Sequence, residues 1–248
     1  KLQFKCNNDE DAEKNLRMSI GLDPHNAEAQ YFLAKILTKD EDSSLAKKHF
    51  YKALELNPEF AEAYYDLAFH SEKSGDINEA KIHFQKATDV EQNFAEAYFN
   101  LARLCTSPSE YEFAERNFET ALEIKEDFDE CHYFFGKLLA KGERMTKDGT
   151  LLIEPQLERA TSHFQKAIKF NPENYRSYYE LGILLSEKEQ FQDAFDCLQK
   201  SISINGNFAE GHYQLAVPLM NESAQLALSP ARTKVSNKNK SASTVKNK

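Results

Sequence analysis

Residues 26–34, 60–68 and 94–102 read NAEAQYFLA, FAEAYYDLA and FAEAYFNLA, three near-copies spaced 34 residues apart. The same opening recurs in weaker form at Asp129 and, after a 12-residue insertion, at Tyr175. Counting each block from Ala27, Ala61, Ala95, Asp129 and Tyr175, position 20 is Ala12, Ala46, Ala80, Ala114, Ala160 and Ala194. Ordinary alanine usage does not give six identities in one register. Self-similarity at this period predicts stacked units in which each touches only its neighbours, and function belongs to the surface the stack makes.

The register also says what each unit is. Position 7 is Leu33, Leu67, Leu101, Phe135, Leu181 and Leu215, and position 8 is Ala34, Ala68, Ala102, Gly136, Gly182 and Ala216. Position 24 is Leu16, Phe50, Phe84, Phe118, Phe164 and Leu198, and position 27 is Ser19, Ala53, Ala87, Ala121, Ala167 and Ser201. Apolar residues at 4, 7, 8 and 11 lie on one face of a first helix, and 20, 24 and 27 on one face of a second. Small residues at 8, 20 and 27 let the two backbones approach, while large ones at 7 and 24 fill the space between them. Asp-Pro at 23–24 and Asn-Pro at 57–58 and 171–172 disfavour helix before the proline and so end second helices. Ser74-Gly75-Asp76 supplies a turn inside a unit.

This pattern resembles the tetratricopeptide repeat, with its W-x2-L-G-x2-Y, A-x3-F, A and P signature. The resemblance runs to about Met220. Departures are mild: there is no Trp. Position 4 is Gln30, Tyr64, Tyr98, His132, Tyr178 or His212, and the terminal Pro is replaced by Gln92, Glu126 and Gly206, which is expected to loosen those turns. The resemblance implies an all-α fold, a right-handed α-solenoid of stacked antiparallel helix pairs. It predicts a partial repeat over 1–26, mostly its second helix, and repeats at 27–60, 61–94, 95–128, 129–174 and 175–208. The insertion falls near 143–154, in the turn of the fourth full repeat. Residues 209–228 are expected to form a terminal helix or cap, and 229–248 a disordered basic tail. Because the register places Lys1 midway along a first helix, further repeats are expected upstream, making this chain a fragment of a longer protein.

Composition narrows the function. The chain of 248 residues carries a net charge of −9, although the tail holds six basic residues and no acid. The acidic body argues against general nucleic-acid binding. No apolar run reaches membrane-spanning length, and KLQFKCNND is too short in apolar residues for a signal peptide. Cys6, Cys105, Cys131 and Cys197 lack paired metal-ligand spacing and read as free buried thiols of a reducing, cytoplasmic or nuclear compartment.

No phosphate loop, nucleophile elbow or His-Glu-x-x-His is present, so no catalysis, cofactor, metal or small-molecule substrate is expected. Five of the seven histidines repeat a structural position: His49, His83 and His163 at 23, His132 and His212 at 4. The resemblance instead implies a concave groove lined by positions 2, 5, 6, 9, 12 and 13 of the first helices. Position 5 is aromatic throughout: Tyr31, Tyr65, Phe99, Tyr133, Tyr179 and Tyr213. Positions 9 and 13 supply Lys35, Lys39, Lys73, Arg103, Lys137 and Lys141. Cations beside rings could hold a protein or peptide partner, an acidic one in particular. The alternative for these cations is pairing with the position-2 glutamates Glu28, Glu62, Glu96, Glu130 and Glu210. Of the carboxylate clamp that chaperone-binding members use, only Asn100 is present.

The expected function is therefore a non-catalytic scaffold that binds a partner in its groove within a larger complex. Two alternatives stand beside it. The array could be the substrate-recruiting arm of an enzyme, or a structural subunit of a transport, cell-cycle or ciliary machine. Leu151, Leu152 and Ile153 of the insertion form an apolar trio that would be a docking point if exposed. Ser229-Pro230-Ala231-Arg232 resembles a proline-directed kinase site, with Ser229 the modified residue.

Overall fold

A computed structural model describes residues 2–39, 43–146 and 148–220. Ser229 and the tail lie outside the described residues. The chain divides into two compact units, Lys1–Glu126 and Asp127–Lys248. The first unit is a run of helices: α1 (Leu2–Leu22), α2 (Ala27–Leu37), α3 (Ser43–Leu56), α4 (Ala61–Lys73), α5 (Ile77–Val90), α6 (Ala95–Leu104) and α7 (Tyr111–Ile124). The second holds α8 (Asp129–Lys141), β1 (Glu143–Met145), β2 (Leu151–Ile153), α9 (Leu157–Phe170), α10 (Tyr175–Glu187), α11 (Phe191–Ile204) and α12 (Ala209–Met220). Each unit is an all-α solenoid segment in which every helix packs on the next. Within a repeat we call the first helix A (α2, α4, α6, α8, α10) and the second B (α3, α5, α7, α9, α11).

The small positions do what their size allows. Ala46, Ala80, Ala114 and Ala160 are fully buried, and Ala194 nearly so. Ala68, Ala80 and Phe84 share one core cluster with Leu101 and Leu104, joining position 8 to positions 20 and 24 and to the next A helix. Gly136 shows how tight this contact is: an added Cβ would come within 2.7 Å of the Phe164 ring. At Gly182 the obstacle is Leu198, at 2.8 Å. A side chain larger than methyl at position 8 has no room without moving the B helix.

The turns between repeats take one form with or without proline. The N–H of Asn57 donates to the carbonyl of Ala53, and that of Asn171 to Ala167, in the two Asn-Pro turns. Glu91, Lys125 and Asn205 donate to Ala87, Ala121 and Ser201 in the same way. Proline therefore restricts the unfolded chain more than it shapes the folded turn.

Two local features depart from the repeat pattern. α1 is one helix of 21 residues, although the register puts a turn within it. The stretch KCNNDEDAEK has no Gly or Pro to make that turn. The insertion forms a two-stranded antiparallel hairpin in the α8–α9 connection, with Glu143 opposite Ile153 and Met145 opposite Leu151. Gly142 opens it at φ 58°, and a Cβ there would strike the backbone of Glu154 and Pro155.

Candidate partner-binding face

In the first unit position-5 tyrosines and position-9 cations make polar joints between successive A helices. The Tyr31 hydroxyl on α2 donates to Asp66 on α4 at 2.7 Å. Lys35, one turn beyond, donates to the Tyr31 oxygen at 3.1 Å and pairs with Asp66 at 2.9 Å. Burial pushes the Tyr31 hydroxyl up to about 12, and Asp66 adds to the rise. Burial works against the Lys35 charge, but Asp66 and Tyr31 outweigh it and hold the ammonium at about 12. The next joint uses other groups. Asn100 on α6 donates to the Tyr65 oxygen at 3.3 Å. Arg103 forks onto Glu72 of α4 at 2.9 and 2.8 Å and also donates to Asn100.

The second unit repeats the theme between α8 and α10. Lys137 reaches Glu180 at 3.5 Å and lies 5.7 Å over the Tyr133 ring. Burial raises the Glu180 carboxyl, with Lys137 opposing it. Tyr179 packs edge-on against Phe208 at 5.0 Å.

The remaining expected groove residues are placed as follows. Phe99 is buried, with its ring 6.3 Å from Phe118. Lys39 pairs with Asp9 of α1 at 2.9 Å, and Lys141 with Glu143 at the start of the hairpin at 2.8 Å. Lys73 is exposed at the end of α4.

The partners of these cations differ from the expected position-2 glutamates. Successive A helices lie so that positions 5 and 9 of one meet position 6 of the next, as Tyr31 and Lys35 meet Asp66. Of the position-2 acids, Glu96 pairs at 3.1 Å with Lys125, which follows the B helix of its own repeat. The position-6 carboxylates were visible in sequence, but the relation of helices between repeats was not.

Three further features escaped sequence reading. Phe32 and Phe69 are large rings left 49% and 38% exposed on α2 and α4. Position 4 meets position 23 inside repeats: Gln30 with His49 at 2.7 Å, Tyr64 stacked on His83, and His132 Nδ1 with His163 Nδ1 at 2.9 Å. This explains why histidine recurs at both positions. On the hairpin, Met145, Leu151 and Ile153 are exposed and share one face, while Leu152 turns to the other side opposite Arg144. Cys105, Cys131 and Cys197 are in no disulfide, and burial raises all three thiols. No helix among the described residues is long and apolar enough to cross a membrane.

Comparison with known proteins agrees with the repeat geometry. Models of the tetratricopeptide repeat match residues 37–105 and 163–196. The Caenorhabditis elegans cell division cycle protein 27 homolog is 34% identical over 55 residues, 22% of this chain and 7% of that protein. The chain thus spans only a small part of that relative. Among solved structures, YrrB, described as a TPR protein with an unusual peptide-binding site, aligns with a TM-score of 0.63 at 23% identity. That alignment covers 80% of this chain and 96% of YrrB. Pseudomonas aeruginosa pilF aligns at 0.70 and 18% identity, over 86% and 91% of the two chains. The APC/C hetero-tetramer Cut9–Hcn1 gives 0.63 at 16% identity, covering 85% of this chain and 39% of the other. Periodic small residues packed at 8, 20 and 27, paired helices in both units and the matches to repeat models converge: this chain carries tetratricopeptide repeats, matched over residues 37–105 and 163–196.

Proposed function

We propose that the chain is a non-catalytic scaffold that holds a segment of a partner protein against its A helices. The observation that carries this is the contrast between fixed polar joints and exposed rings on the same helices. Tyr31, Lys35, Asp66, Tyr65, Asn100 and Arg103 are locked by mutual hydrogen bonds, so a partner meets a preorganised surface. Phe32 and Phe69 stand beside them with apolar area to bury. Because Lys35, Arg103 and Lys137 already hold carboxylates, an acidic partner side chain is met by Lys73, exposed at the end of α4. The partner segment that fits brings apolar side chains to the rings and an acidic group to the end of α4.

A second reading has its own observation. The exposed face of Met145, Leu151 and Ile153 on the hairpin is also a docking surface. The two separate by experiment. A partner recovered by affinity purification is titrated against the F32A/F69A double variant and against a chain lacking residues 143–154. The proposal expects at least a tenfold loss for the double variant, about 1.4 kcal/mol, and little change for the deletion. The opposite pattern would move the contact to the hairpin.

A further inference from the structure

Each of α4, α6, α8 and α12 is preceded by a phenylalanine, Phe60, Phe94, Phe128 and Phe208, whereas α10 is preceded by Asn174. Three of these rings lie against the position-5 tyrosine one repeat earlier. Phe60 is 4.7 Å from Tyr31, Phe94 is 4.7 Å from Tyr65, and Phe208 is 5.0 Å from Tyr179. Tyr133, one repeat before Asn174, has the rest of this setting. Phe134 and Phe164 lie 5.1 and 6.3 Å from it, as Phe32 and Phe50 lie 5.0 and 6.2 Å from Tyr31. The third ring is missing among the described residues. Asn174 turns to its own helix instead, where its Oδ1 accepts the N–H of Ser177 at 3.1 Å. Beside Tyr133 and Asn174 the second unit has a recess of about 380 Å³, a size typical of small-ligand sites.

We propose that this recess receives an aromatic side chain, a tyrosine, from a segment of a partner protein. This rests on the reading that the A helices meet a partner, and it adds a site in the second unit. The incoming ring takes the place that phenylalanine holds in the other joints. The rim decides between aromatic residues. Glu130, Glu173 and Arg176 are exposed around the recess, and Tyr175 lines it as a second ring. A tyrosine hydroxyl finds a carboxylate there, as the Tyr31 hydroxyl finds Asp66 at 2.7 Å. A phenylalanine would cover the same groups and give them no partner. Arg176 and the N-termini of α8 and α10 offset the two exposed carboxylates, so the recess selects a ring over a cation. The remainder of the chain cannot supply the ring: residues 1, 40–42, 147 and 221–248, outside the described ones, contain no aromatic side chain.

The test uses the intact chain with N-acetyl-tyrosinamide as the probe, read by backbone amide shifts in NMR. We expect saturable shifts confined to residues 129–133 and 171–177. The Kd should be about 1 mM, which is what so small a molecule can reach. N-acetyl-leucinamide and N-acetyl-argininamide should bind at least about fivefold more weakly. Two variants separate the recess from the helix cap. Asn174→Ala and Asn174→Phe both remove the cap, which α4 and α6 do without at Phe60 and Phe94. Only Asn174→Phe restores the ring, so it should abolish binding, while Asn174→Ala should stay within about threefold of the parent chain. No saturation by about 10 mM probe would overturn the proposal. So would equal binding of the leucine or arginine amide, shifts centred elsewhere, binding that survives Asn174→Phe, or equal loss in both variants. Concentration-dependent self-association that shifts the same amides without probe would also overturn it, because the ring would then be a second copy's. The probe carries no partner, so its failure would leave the F32A/F69A titration untouched.

Discussion

Replacing Ala80 with leucine tests the packing logic of the repeats most directly. Ala80 is fully buried, at position 20 of α5, in a cluster with Ala68, Phe84, Leu101 and Leu104. Leucine adds three carbons where no surface is accessible. The side chain has no exit, because Ala68 and Phe84 close the intra-repeat side and Leu101 and Leu104 the inter-repeat side. Overpacking of this kind costs about 1–3 kcal/mol. Repeats couple through nearest neighbours, so the loss should fall on α4, α5 and α6. Native-state hydrogen exchange reads it locally: amides of these helices should exchange about 5- to 150-fold faster, at tenfold per 1.4 kcal/mol. Amides of α10 and α11 should be unchanged. A uniform acceleration across both units would refute nearest-neighbour coupling. Unchanged exchange would refute the claim that alanine at position 20 is a steric requirement.

Acid should weaken the second unit through His163. Burial foremost, then His132, Lys166 and Arg159, lower its value from 6.5 to about 4. The unfolded chain takes up a proton below about pH 6.5 that the folded chain refuses, so stability is full above that value and falls as pH drops towards 4. Allowing for partial exposure, the loss at pH 5 should be about 1 kcal/mol. His163→Asn, which copies Asn117 of the third repeat, should flatten urea-derived stability between pH 7 and 5; an unchanged slope would exonerate the pair. Glu189 sits at φ 58° in the turn where the second repeat has Gly75 at φ 84°. Releasing that left-handed residue from its Cβ should outweigh the entropy glycine adds to the unfolded chain, so Glu189→Gly should raise stability by about 0.5 kcal/mol in thermal melts. A lower melting temperature would mean the glutamate side chain contributes more than the strain costs.

The fold was legible because steric requirements repeat. Alanine at position 20 and the large residue at 24 have one neighbour each time, so identity in register reads directly as contact. The face was legible only in part. Sequence spacing identified Tyr31, Lys35 and Arg103 as neighbours along their helices, but Asp66 and Glu72 became their partners through the offset between repeats. No residue encodes that offset by itself. The hairpin hid for a different reason: two strands of three residues are too short to show a period. Leu151, Leu152 and Ile153 therefore read as one apolar trio, whereas pairing divides them and brings Met145 to the exposed face.

The polar joints between A helices bear on how such an array can grow. In one joint the cation belongs to the earlier repeat and the acid to the later one, Lys35 with Asp66, and the Lys137–Glu180 joint follows the same order. In the joint between α4 and α6 the order is reversed, Arg103 with Glu72, with Phe69 standing where the other joints have lysine. The second repeat thus presents a carboxylate to each neighbour, Asp66 to the repeat before it and Glu72 to the one after, and places an aromatic ring at position 9. A tandem copy of it would set Tyr65 and Phe69 against a second Asp66, leaving that carboxylate a tyrosine but no lysine. The repeats look interchangeable in outline, yet their joints are keyed. Duplication or grafting that preserves the keys must move a matched pair of repeats together, and the order of repeats is as much a part of this chain's specification as the repeat itself.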